Sequence, residues 1–330
     1  MDSVAESHKV LFHYTTANGL LGIIESQCLW ATHIEYLNDH EEHRGFFKNR
    51  LEKLLEKPID EAINEIYLNN DNEDKNLINE LGGVDKVKKD MIKDLKESIQ
   101  DATLRLNEPY VVAFCVPESD EDNNGLLSQW RGYGKDGGYA VVFDTEKLQQ
   151  LLEEEGKNCV YIQAVWGDVH YSNETGAIKP LPEIEALENE LHKTIKNFIA
   201  NRNSESLEPL LPCISSLSCF YKHEGFKEER EVRVVAILSG DNDLINQVSQ
   251  SDVNKQIKSK KFRNKDGLLI PYICLFDFKK DGCKVKLPIT KIIIGPNENS
   301  IKRKQAVELL LSEHEIKADV VISSIPYLGG

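Results

Sequence analysis

The chain has 330 residues, 40% of them apolar and 29% charged, with 55 acidic against 40 basic side chains for a formal charge of −15. That composition lies in the range of globular proteins rather than disordered chains, and its acidity disfavours nonspecific contact with nucleic-acid backbones or anionic membranes. The length admits one large domain with insertions or two ordinary ones, and either can bury a real core.

The N-terminus, MDSVAESHKV, has no basic stretch followed by an apolar core, and no run approaches eighteen apolar residues. Neither secretion nor membrane spanning is expected, and the cytoplasm is the default location. Seven cysteines (Cys28, Cys115, Cys159, Cys213, Cys219, Cys274, Cys283) form no CxxC pair and read mostly as buried thiols. Cys213, Cys219 and His223 lack a fourth zinc ligand at useful spacing.

LFHYT near the start has the composition of a strand, and the following segment places Leu20, Ile23 and Ile24 on one helical face. In EYLNDHEEH, Asp39 and Glu42 have the spacing of a capping box, so another helix starts there. From about 43 to 107, Leu51, Leu54 and Leu55 recur at helical spacing among Glu and Lys, which predicts a mostly helical insertion with a solvated charged face.

YVVAFCV (110–116) is a buried strand, followed by the turn-rich ESDEDNNG and by SQWRGYG. YAVVFD (139–144) is a strand and TEKLQQLLEEEG a helix ending at Gly156, while residues 160–171 alternate as a strand. A second helical insertion over 181–221 breaks near Pro209 and Pro212; strands follow at 229–238 and 271–278. KIIIGP, a helix from Ser300 to about His314, and ADVVISSIPYL close the chain as a β-α-β unit. The sum is one α+β domain over 1–330, with about seven strands in a central split or two-sheet core, an N-terminal β-α unit and helical insertions.

Three segments gather polar and aromatic groups at strand ends. In FHYT, alternation puts His13 and Thr15 on one face and Tyr14 on the other. In SQWRGYG, Ser128 and Trp130 share a face if the segment is extended, and Trp130 or Tyr133 offers an aromatic surface for a planar ligand. In GFKEEREVRV, read as a strand, Glu229, Glu231 and Arg233 lie on one face, and Arg233 would keep at least one carboxylate ionised. Each segment also has a purely structural reading, as core histidine, core aromatics and exposed charge ladder.

Two calcium-like loops fail on inspection. DEDNNG has Arg131 at its twelfth position where a bidentate Glu is required, and the stretch starting at Asn69 has Asp74 in place of the turn glycine. His40, His43 and Asp39 are one helical turn apart, but HEEH is not a metalloprotease motif and capping already explains Asp39. No metal site is expected.

Together, FHYT, EYLNDHEEH, SQWRGYG, FKEEREVR, KIIIGP and ISSIPYL resemble a widespread bacterial family labelled only as a domain of unknown function. More distantly, a His-Tyr-Thr strand end, a following xxLxxIIxxxxLxA helix, a serine segment and a late strand beginning Glu-x-Glu are similar to the ADP-ribosyltransferase fold, in which NAD lies in a cleft between two small sheets. That resemblance implies that His13 bonds ribose hydroxyls with support from Thr15, that Ser128 braces the glutamates, and that Tyr133 or Trp130 stacks on nicotinamide. Glu231 would be the catalytic glutamate and Glu229 would orient the acceptor. Beside what the resemblance implies, Tyr14, Asn38 and Arg233 are expected among the ligand-binding residues.

SQW stands where that fold has serine-threonine-serine, and Arg233 is not a feature of the transferases. Three functions therefore stay open. The first is ADP-ribosyl transfer or NAD glycohydrolysis, in a phage-defence or toxin-like setting, with NAD as substrate, no required cofactor and a possible macromolecular acceptor. The second is a metal-dependent nuclease using Asp39, Glu229 and Glu231. The third is a non-catalytic nucleotide-binding sensor whose charged helices bind a partner.

Overall fold

Apolar β-branched runs and the amphipathic helices between them set the architecture of the computed structural model, which describes residues 4–37, 40–69, 72–118, 123–133, 138–172, 182–201, 210–240, 255–280 and 282–326. A short helix α1 (Val4–Ser7) precedes strand β1 (Val10–Thr15) and helix α2 (Ala17–Ser26). The Thr16 side chain caps α2 by accepting from the Gly19 amide, and Gln27 ends it in the left-handed conformation. Strand β2 (Leu29–His33) then leads to helices α3 (His40–Gly45), α4 (Leu51–Asn69), α5 (Asn72–Glu80) and α6 (Val84–Leu106).

Strand β3 (Asn107–Cys115), helix α7 (Leu127–Tyr133), strand β4 (Tyr139–Asp144), helix α8 (Thr145–Asn158) and strand β5 (Gln163–Asp168) follow. Helices α9 (Pro182–Asn201) and α10 (Leu210–Phe220) come before strand β6 (Glu231–Ser239). Strands β7 (Lys261–Lys265), β8 (Leu268–Leu275) and β9 (Ile289–Ile294), helix α11 (Ser300–Glu313) and strand β10 (Asp319–Ile322) complete the chain.

These ten strands form one mixed sheet with the path β7-β8-β2-β3-β1-β4-β9-β10, to which β6 adds on β3 and β5 on β6. Only the β9–β10 pair of that sheet is parallel. The site is positioned by β3. One edge of β3 pairs with β6 along its whole length, from Asn107 opposite Ser239 to Cys115 opposite Glu231. Its other edge is shared: β2 takes Tyr110 and Val111, and β1 takes Cys115. The sheet forks over residues 112–114, where, among the described residues, neither β1 nor β2 supplies a ladder partner.

Alternation along the strands divides the interior. Leu11, Val112, Phe114, Val141 and Phe143 pack on one face with Leu20, Ile23 and Ile24 of α2, Leu148 of α8, and Val307 and Leu311 of α11. Phe12, Tyr14, Val142 and Ile293 point the other way, under Trp130 of α7. Val111, Val235 and Ile237 meet a layer built from both helical insertions, in which Leu51, Leu55 and Ile59 of α4 join Leu191 and Ile195 of α9 and Ile214 and Leu217 of α10. Leu210 to Phe220 are all buried or nearly so, as expected for a helix that is apolar or small on every side.

Several expectations need correction. The sheet has ten strands rather than about seven, because short, partly charged segments such as KFRNK join its edge. Residues 160–171 are not one strand; β5 is flanked by the short strands Cys159–Val160 and His170–Ser172, which pair elsewhere. SQWRGYG is helical, not extended, over the residues described. Glu229 ends a 3-10 turn (Glu224–Glu229), and Arg230, with φ of 43°, separates it from β6, so Glu229 does not share a strand face with Glu231. The second insertion is described as two helices, α9 ending at Asn201 and α10 starting at Leu210; Pro212 sits in the first turn of α10, where proline is tolerated, and Pro209 lies outside the described residues. Among the described residues no helix is long and apolar enough to cross a membrane.

Candidate functional site

The fork in the sheet opens a cavity of about 280 Å³. That is close to the lower end of ligand-pocket volumes, about 300 Å³. His13 and Thr15 of β1, Gly19 of α2, Trp30 and Thr32 of β2, and Ala113 of β3 form its floor and sides. Ser128 and Gln129 of α7, Lys222, Glu229, Glu231 and Arg233, and Arg263 and Lys265 of β7 complete the wall.

The half-buried His13 occupies the fork. Its Nδ1 donates to the Ala113 carbonyl at 2.9 Å, satisfying an oxygen at the point where β1 and β2 diverge. Because a carbonyl only accepts, Nδ1 carries the proton, and in the neutral ring Nε2 is left as an acceptor. Burial lowers the His13 pKa below 6.5, and Arg263 adds to the lowering while the Ala113 bond opposes it. The ring is therefore neutral at pH 7.

Glu231 is the most firmly held carboxylate of the cleft. It is 5% exposed. Arg233 donates to it twice, through Nε at 2.7 Å and a terminal nitrogen at 3.1 Å, and Lys222 Nζ donates at 3.1 Å. Burial pushes its pKa up, but Arg233 and Lys222 outweigh burial and hold it below 4.5. Lys222 also bonds Glu229 at 2.7 Å, so the two glutamates converge on one ammonium although only one is on a strand. Local structure fixes the group from several sides. Lys222 comes from the strand Tyr221–His223, which pairs with His170–Ser172, and from that partner the Tyr171 hydroxyl accepts the Glu231 amide at 2.8 Å. Arg233 also donates to the Cys219 carbonyl at the end of α10, at 2.6 Å.

On the opposite wall, Arg263 donates to the Thr32 hydroxyl at 2.8 Å and lies 5.5 Å from the Trp30 ring and 5.9 Å from the Tyr272 ring. Cation-π attraction and that bond hold its guanidinium in place. Lys265 is on the same face of β7, two residues on. Among the described residues the charged lining is four cations (Lys222, Arg233, Arg263, Lys265) against two carboxylates (Glu229, Glu231), an excess of cations in an acidic protein.

Of the residues singled out from sequence, His13, Tyr14, Thr15, Ser128, Glu229, Glu231 and Arg233 line this cavity. The Ser128 Oγ is buried and has no hydrogen-bond partner among the described residues, although it arrives from a helix and not from a strand. Trp130 does not line it. Its indole is fully buried, packs edge-on against Tyr14 at 4.9 Å and donates to the Asn124 carbonyl at 2.8 Å, so it is a core side chain rather than a stacking platform. The Tyr14 hydroxyl in turn accepts the Leu126 amide at 2.7 Å. Asn38, Asp39 and the side chains of His40, Glu42 and Tyr133 lie outside the described residues. His43 is buried and bonds Glu35 at 3.0 Å.

Sequence reading missed Lys222, Gln129, Thr32, Arg263 and Lys265. A lone lysine straight after the apolar SSLSCFY, and basic residues at alternate positions in KFRNK, were the available signals.

Comparison with known families adds one match. The model of a family described as "Protein of unknown function (DUF2971)" matches residues 129–234. That span holds Lys222, Glu229, Glu231 and Arg233, while His13 precedes it and Arg263 follows it. No curated protein and no solved structure matches the chain, and none of these comparisons supports the resemblance to ADP-ribosyltransferases.

Proposed function

We propose that the cleft binds a nucleotide-like anion, with NAD as the substrate, and that the chain transfers its ADP-ribosyl group to an acceptor or to water. The reading rests on one observation: side chains from residues 13–15, 128–129, 222–233 and 263–265 converge on a single cavity, with an excess of positive charge among the described residues. Phosphates suit that charge, and ribose hydroxyls suit the acceptors and donors between the cations.

In the proposed reaction the bond between the ribose anomeric carbon and the nicotinamide nitrogen breaks, and the neutral base leaves with the electron pair. The acceptor oxygen then bonds to that carbon and gives up its proton. Positive charge grows on the ribose in the transition state, so a fixed carboxylate at Glu231 stabilises it more than the ground state. Nε2 of His13 would accept a ribose hydroxyl, and the Ser128 Oγ would gain the partner it lacks. Incubating the purified chain with NAD and following nicotinamide release tests this. Release that is lost in Glu231→Gln supports it, and absence of any release from the wild type removes the catalytic claim.

A second reading is favoured by a specific contact. Both oxygens of Glu231 already accept from cations, which reduces the charge available to a reacting ribose. Calorimetric binding of NAD without turnover would point to a sensor. The nuclease reading has less support: Lys222 sits between Glu229 and Glu231, where a divalent ion would be needed.

A further inference from the structure

The cleft uses none of the cysteines as a reacting group, yet two of them form a cluster of their own. Cys28 immediately precedes β2 and Cys274 lies near the end of β8, on the seam where Cys274 pairs with Trp30 and Leu275 with Leu29. Cys28 and Trp30 are two residues apart, so alternation puts Cys28 and Cys274 on the same face of the seam, offset by two positions. The two thiols are close enough to perturb each other's titration. The Ser26 Oγ is 3.0 Å from the Cys28 sulfur, and the Lys261 Nζ is 3.3 Å from the Cys274 sulfur.

The two ends of this pair are unlike. Cys274 and burial push the Cys28 thiol far up, so it keeps its proton. Cys28 and the Lys261 ammonium, 3.3 Å from the Cys274 sulfur, bring the Cys274 thiol down against the effect of burial. A thiolate beside an ammonium and a protonated thiol is the arrangement of an attacking and a resolving cysteine. The other buried cysteines lack this setting. Burial pushes Cys115, Cys159, Cys213 and Cys219 up, and none has a thiol neighbour among the contacts of the described residues.

We propose that Cys28 and Cys274 form an oxidation site for hydroperoxides, closing to a disulfide that bridges β2 and β8. The Cys274 thiolate attacks the terminal peroxide oxygen, the O–O bond breaks, and the departing hydroxide takes a proton to leave as water, or as an alcohol from an organic peroxide. Cys274 is then a sulfenic acid. The Cys28 sulfur displaces its hydroxyl, the thiol proton and that hydroxyl leave as a second water, and the S–S bond forms. Two thiols are oxidised and one peroxide is reduced. Only Cys274 and Cys28 are needed, and because the residues are 5% and 1% exposed the smallest hydroperoxides, hydrogen peroxide first, react fastest.

The test treats the folded full-length chain with limiting hydrogen peroxide at pH 7 and maps peptides without reduction. The expected product is a Cys28–Cys274 cross-linked peptide and a chain mass lower by two hydrogens. In Cys28→Ser the reaction should stop at a Cys274 sulfenic acid that dimedone captures, and Lys261→Met, a change at a largely exposed side chain, should slow cross-linking of the wild-type pair. Oxidation confined to the exposed Cys283, or cross-linking as fast in Lys261→Met as in the wild type, would overturn the proposal. Neither readout depends on what the cleft binds.

Discussion

At the scale of single residues, the decisive group is Glu231, because it is both the proposed charge stabiliser and the anion that neutralises two buried cations. The two roles separate by substitution. Glu231→Gln keeps shape and some hydrogen bonds, and should slow nicotinamide release roughly a hundredfold or more, the scale of a lost electrostatic stabiliser. Glu231→Ala removes the carboxylate that Arg233 and Lys222 share, although Lys222 keeps Glu229, and should cost about 3–5 kcal/mol in urea unfolding. His13 gives a pH test. Its folded pKa lies below 6.5, so as pH falls the unfolded chain takes up the proton first, and stability declines below pH 6.5. The carboxyl of Glu231, also lowered in the folded state, contributes above 4.5 and is lost only below that value. Urea midpoints at pH 7.5 and 5.5 should therefore differ more in the wild type than in His13→Gln, and a matching drop in the variant would assign the effect elsewhere. These residues were legible because polar groups at the ends of apolar strands need a reason to be there. Lys222 was not, since nothing in a single sequence reveals that an ammonium will face two carboxylates seven and nine positions away.

At the scale of elements, the strands and helices at both ends of the chain could be read directly, for a physical reason: Leu20, Ile23 and Ile24 or KIIIGP carry one period each, and neighbours do not compete with it. SQWRGYG failed because seven residues with two glycines nearby have no clear period, and burial of Trp130 over β1 and β4 decides the helix. The role of that helix is testable. Trp130→Phe should destabilise the chain through lost packing and loss of the donor to Asn124, by about 1–3 kcal/mol, while leaving NAD binding unchanged. A stacking residue would lose binding instead. Helix α2 makes a sharper prediction. A Cβ on Gly22 would lie 2.3 Å from the Trp30 ring, so Gly22→Ala must move the aromatic that backs Arg263. Overpacking of that kind costs about 1–3 kcal/mol. The same variant should weaken NAD binding, read by calorimetry on the folded fraction, because the guanidinium loses its platform.

At the scale of the whole molecule, two opposite fields act on an anionic ligand. The chain carries −15 overall, while the charged lining of the cleft has four cations and two carboxylates among the described residues. The acidic surface is spread out and acts at long range, so at about 0.01 M salt, where the screening length is roughly 30 Å, it opposes the approach of phosphates. Near 0.15 M the screening length is roughly 8 Å, the distant carboxylates fade, and the contact charges in the cleft remain. Further salt then weakens those contacts too. The Kd for NAD should consequently pass through a minimum as salt rises from about 10 mM to about 1 M, measured by calorimetry with the chain otherwise unchanged. Arg263→Met should raise Kd about tenfold, as expected for loss of one charge-assisted hydrogen bond, and should flatten the rise at high salt without altering the low-salt limb. A Kd that only rises with salt in the wild type would mean that the local field dominates at every distance. A Kd indifferent to salt in both proteins would mean that the cleft does not hold the phosphates.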